Sequence, residues 1–87
     1  MQEYPIEFDC WENDEPLQIQ LEPEALVFKV TYPTSLKFLA RCEQPFTWAV
    51  RVCPEDRWIQ LFPECKHEYE IIIYEGNTLL ENWYKYM

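Results

Sequence analysis

Eighty-seven residues hold one hydrophobic core and leave nothing from which to build a second, so residues 1–87 are expected to form a single β domain without a separate catalytic unit. A hydrophobic content of 48%, with 17% aromatics, excludes a disordered segment in spite of the net charge of −9, because the apolar surface suffices to offset the entropy of folding. No apolar run approaches the about 18 residues that cross a bilayer, and the start, MQEYPIEFD, has neither the basic residues nor the apolar stretch of a secretory signal; the expected setting is cytoplasmic, with no membrane partner.

The seven prolines stand too close together for helices of ordinary length, and the stretches between them alternate apolar and polar residues with the period of a half-buried strand. Ile6, Phe8 and Cys10 lie against Glu7 and Asp9 in the first strand, and Leu17, Ile19 and Leu21 against Gln18 and Gln20 in the second. A third strand points Leu26, Phe28, Val30 and Tyr32 inward, a fourth Leu36, Phe38, Ala40 and Cys42, and a fifth Trp48, Val50 and Val52. A sixth is expected from about Arg57 to Phe62, a seventh from about His67 to Tyr74, and an eighth from Thr78 onward, where Leu79, Leu80 and Trp83 also fit a helical turn. Pro54-Glu55-Asp56 and Glu75-Gly76-Asn77 read as turns.

Side-chain period also suggests a pairing. A loop from Glu43 to Thr47 would set Cys42 opposite Trp48, Ala40 opposite Val50 and Phe38 opposite Val52, since a slip of one residue inverts the faces. The fourth to sixth strands then form a meander whose outer face carries Lys37, Arg41 and Arg51 in one stripe. The fold class is all-β: a small antiparallel β-sandwich of seven or eight short strands, with a small barrel as the alternative. Its short, proline-spaced strands look broadly like an immunoglobulin-type sandwich, without the Cys, Trp, Cys spacing of a true immunoglobulin domain. That resemblance is one of architecture and carries no function.

Charge is unevenly spread. The first 28 residues hold eight acidic side chains and no basic one, for −8. Lys29 to Arg57 holds five basic against three acidic, for +2, and the remainder contributes −3. Such acidity disfavours direct contact with nucleic acid, whose phosphates it repels, and suits a basic protein surface, though acidic residues on an outward face also serve simply as solvation. Glu7, Asp9, Glu12, Asp14 and Glu15 could alternatively imitate a row of phosphates, but a basic stripe on the same molecule counts against a pure nucleic-acid decoy. Trp11 falls on the outward phase among these carboxylates, and Tyr69, Trp83, Tyr84 and Tyr86 exceed what one face buries near the C-terminus. The candidate binding residues are therefore Glu7, Asp9, Trp11, Glu12, Asp14, Glu15 and Trp83.

Other chemistries find little support. One glycine, Gly76, excludes phosphate-cradling loops. Cys10, Cys42, Cys53 and Cys65 contain no Cys-x-x-Cys pair, so no zinc site and no cofactor are expected, and His67 reads as a loop residue. Cys42 and Cys65 are the pair placed to bridge if any does, although thiols in the cytoplasm stay reduced. With 16 Asp and Glu, paired carboxylates carry no specificity for acid–base catalysis, and an enzyme is not expected. The expected function is a non-enzymatic acidic interaction module of the inhibitor, immunity or counter-defence type, which binds a basic protein and inhibits it. Two alternatives are a carbohydrate-binding or adhesion-type sandwich, with Trp11, Trp58 or Trp83 as stacking platform, and a structural protein that forms a homodimer through an edge strand.

Overall fold

A computed structural model describes residues 1–81. Eight strands follow one another: β1 (Gln2–Phe8), β2 (Leu17–Leu21), β3 (Leu26–Val30), β4 (Leu36–Cys42), β5 (Thr47–Cys53), β6 (Trp58–Glu64), β7 (Glu70–Glu75) and β8 (Thr78–Leu79), with one 3-10 turn at Pro54–Asp56. They form two four-stranded sheets, β1-β4-β7-β8 (sheet A) and β3-β2-β6-β5 (sheet B), packed as the expected small sandwich. All pairings are antiparallel except β2 with β6, which run parallel.

The alternation read from the sequence is what closes the two sheets on each other. Ile19 and Leu21 of β2, Leu26, Phe28 and Val30 of β3, Leu36 and Phe38 of β4, Leu61 of β6 and Ile73 of β7 are buried in one cluster. Phe38 is wholly inaccessible and meets Phe8, Phe28 and Trp48 edge-on, with ring centroids 6.1, 5.6 and 6.4 Å away, the geometry that aromatic quadrupoles favour. A second cluster, of Ala40, Cys42 and Phe46 with Tyr4, Trp48 and Tyr69 around them, closes one end. The Trp48 indole N–H donates to the carbonyl of Tyr4 at 2.7 Å and so ties β5 to β1 across the sheets.

The expected hairpin between β4 and β5 does not form. β4 is a central strand flanked by β1 and β7, whereas β5 pairs only with β6, in the other sheet. The chain crosses between sheets at Glu43–Phe46, where Phe46 is buried and packs on Tyr4, Trp48 and Tyr69. Period determines which face a residue takes, not which strand becomes its neighbour, so the inward faces of β4 come out as expected while the partner does not. Of the expected meander only the β5–β6 hairpin remains. Val50 and Val52 lie opposite Leu61 and Ile59, yet they are 43% and 59% exposed, as the described residues of sheet A do not cover this edge of sheet B. β3 stops at Val30, and Tyr32, expected inside, is 48% exposed in the β3–β4 connection.

The basic stripe dissolves with the hairpin. Lys37 and Arg41 lie on the outer face of sheet A, where Arg41 reaches Glu3 at 3.7 Å and the Lys37 ammonium sits 5.0 Å above the Tyr74 ring. Arg51 belongs to sheet B, beside Gln60.

Candidate interaction surface

The strand directions send four connections to one end of the sandwich: Asp9–Pro16, residues 31–35, the 3-10 turn with Arg57, and the Gly76-Asn77 turn. The first of these carries most of the candidate residues. Its eight residues hold four carboxylates and no basic side chain, and Asp9, Trp11, Glu12, Asp14 and Glu15 are all exposed. Trp11 is 78% exposed, the largest value among the exposed large apolar side chains.

This loop has a defined shape. Cys10 is buried, and its sulfur lies 3.6 Å from the Glu15 carbonyl and 3.7 Å from that of Val30, to one of which its S–H donates. Beyond it the chain turns on itself: the Asp14 N–H donates to the Trp11 carbonyl at 3.0 Å, and the Trp11 N–H to Asp14 Oδ2 at 2.8 Å. Asn13 takes φ 77° inside that turn, a conformation Asn tolerates better than most residues. The far side is anchored by Arg57, whose Nη2 donates to the Glu15 carbonyl at 2.7 Å. Arg57 itself sits at φ 52° after the 3-10 turn, and its carbonyl accepts the N–H of Gln18 at 3.0 Å. One arginine thereby joins the β1–β2 loop, the β5–β6 turn and the start of β2.

Asp9, Trp11, Glu12 and Glu15 are thus displayed together, while the Asp14 carboxylate is engaged in holding the turn. Glu7 stands apart on the outer face of sheet A, opposite Lys37 in register, where it accepts a hydrogen bond from Ser35 Oγ at 3.5 Å. Trp83 lies outside the described residues, as do Tyr84 and Tyr86. Trp58, named for glycan stacking, is half-buried on the outer face of sheet B between Gln18 and Cys53.

Three groups at this end were not legible from linear charge runs. Glu55 and Asp56 in the 3-10 turn and Glu75 at the end of β7 bring the count to seven carboxylates, against Arg57 in the connections and Lys29, which lines a shallow cleft with Glu75. Tyr32 adds a second exposed aromatic ring. The opposite end is acidic too, with Glu22, Glu24, Glu43, Glu64 and Glu68 beside Lys66, but its aromatics Tyr4, Phe46 and Tyr69 are packed on one another. Burial there pushes the Tyr69 phenol up from its ordinary pKa, with Glu24 and Cys65 adding to the effect. An exposed tryptophan on an anchored acidic loop therefore separates the two ends where charge alone does not. Compared with protein-family models, with curated proteins and with solved structures, the chain finds no match.

Proposed function

We propose that this domain is a non-enzymatic interaction module, and that the end built by the Asp9–Pro16 loop binds a basic surface of a protein partner and blocks it. The observation that carries the reading is Trp11, exposed to 78% at the tip of a loop pinned by Cys10 and Arg57. A free tryptophan side chain costs solvation unless something covers it, and tryptophan in the middle of a charged rim is the residue type that most often dominates a protein interface. The loop's own hydrogen bonds supply preorganisation, so little ordering entropy is lost on binding. The surrounding carboxylates accelerate encounter with a basic partner and select against acidic ones.

The test compares two charge reversals of equal size. One variant changes Asp9, Glu12, Glu15 and Glu55 to lysine at the Trp11 end; the other changes Glu24, Glu43, Glu64 and Glu68 to lysine at the opposite end. Both are used as bait in source-cell lysate beside the unchanged protein, with washes at low and then moderate salt. A basic protein is expected on the unchanged protein and on the second variant, and is expected to be lost from the first. Equal retention by the two variants would mean that net charge, not this end, does the binding.

A further inference from the structure

The end remote from Trp11 brings two thiols into contact. Cys42 closes β4 in sheet A, Cys65 follows directly on β6 in sheet B, and their sulfurs are 3.5 Å apart. Each sulfur is held by a backbone amide two residues on: the Gln44 N–H donates to Cys42 Sγ at 3.4 Å, and the His67 N–H to Cys65 Sγ at 3.4 Å. Cys42 is buried and Cys65 half-buried. An open cleft of about 490 Å³, lined by Met1, Cys42, Gln44, His67 and Tyr69 among others, borders the Cys42 side of the pair. Among the described residues no other two cysteine sulfurs touch.

We propose that Cys42 and Cys65 form a reversible disulfide by exchange with a small-molecule disulfide of the glutathione class, which clips sheet A to sheet B at this end of the sandwich. Exchange starts at the more accessible sulfur. The Cys65 thiolate, its proton given to solvent, attacks one sulfur of the small disulfide; that S–S bond breaks and one small thiolate leaves. Cys42 then gives up its proton and attacks Cys65 Sγ, the mixed disulfide breaks, and the second small thiolate leaves. The two departing thiolates take up the two protons, so two protein thiols are oxidised by two electrons and one small disulfide is reduced to two thiols. Burial, with Cys65 nearby, pushes the Cys42 thiol up from its ordinary pKa, which accords with Cys42 acting second. A covalent S–S bond is about 2.0 Å long, so the sulfurs need to close by about 1.5 Å, and Cys65 lies just past its strand in a connection that can supply the movement.

The experiment incubates the full chain with oxidised or reduced glutathione, blocks free thiols with N-ethylmaleimide and maps tryptic peptides. Trypsin separates all four cysteines, placing Cys42 in residues 42–51, Cys65 in residues 58–66 and Cys53 between them. The expected product of oxidation is one cross-linked pair of those two peptides, with label on Cys10 and Cys53 only. The oxidised form is expected to melt roughly 10 °C higher, as a bridge across 23 positions restricts the unfolded chain. Cys65→Ser, at a half-buried position, is expected to fold and to abolish that rise. Glutathione left on Cys65 with Cys42 labelled, a bridge through Cys10 or Cys53, or a rise that survives Cys65→Ser would each overturn the proposal.

Discussion

Gly76 shows how one residue's backbone can matter more than its surroundings. It takes φ 61° in the β7–β8 turn, and a Cβ built there would meet only Thr34 Cγ2, at 3.9 Å. Space is therefore available, and any cost of a side chain is conformational. Gly76→Ala is expected to lower stability by about 1 kcal/mol, and Gly76→Asn by less, since Asn enters the left-handed region more readily. Denaturant midpoints of the two variants check this; equal losses would point to crowding instead. Arg57 shares the left-handed conformation and was not singled out in the sequence, because nothing in Pro-Glu-Asp-Arg announces that its guanidinium reaches back 42 positions to the Glu15 carbonyl. Trp11, in contrast, is exposed as its phase among Glu7 and Asp9 suggests, but as a loop residue: β1 ends at Phe8, so strand alternation does not reach it.

Strands show where legibility in the sequence stops. Inward residues of β2, β3 and β4 follow from alternation alone, because a sheet with one buried face tolerates no slip. The neighbour of β4 did not follow, since period says nothing about whether the Glu43–Phe46 connection turns back in its own sheet or crosses to the other. Phe46 decides the matter by filling the space between Tyr4, Trp48 and Tyr69, and a buried loop phenylalanine carries no periodic signal. The two topologies make opposite demands on Val52, which a β4–β5 hairpin would set against Phe38 in the core. In the observed fold it is 59% exposed, while Ile73, opposite Phe38 on β7, is wholly buried. Val52→Ser is accordingly expected to cost under about 1 kcal/mol, and Ile73→Ala about 2–5 kcal/mol. Chemical denaturation of both variants is the check, and a large loss at Val52 would restore the hairpin.

At the scale of the whole molecule, the sandwich has two ends with different equipment. One end gathers seven carboxylates, Trp11 and Tyr32 from four connections, and the other gathers packed aromatics and the Cys42–Cys65 pair. Cys42 and Cys65 were expected to be near each other along a meander, and they meet instead across the two sheets. Glu55, Asp56, Glu75 and Tyr32 could not be assigned to the Trp11 end from the sequence, because only the strand order brings their connections together. Separation of the two ends keeps their chemistry independent: locking Cys42 to Cys65 is expected to leave binding at the Trp11 end unchanged.

Trp11→Ala tests the central claim most directly, because it removes the exposed ring while leaving the charge, the Cys10 anchor and the backbone bonds to Asp14 in place. The measurement is the affinity of the unchanged protein and of this variant for the basic protein recovered by the bait, at one fixed salt concentration. Truncating a dominant interface tryptophan costs at least about 2 kcal/mol, so the dissociation constant is expected to rise about 30-fold or more with thermal stability unchanged. Affinity within about twofold of the unchanged protein would contradict the account and place the working surface elsewhere on the molecule.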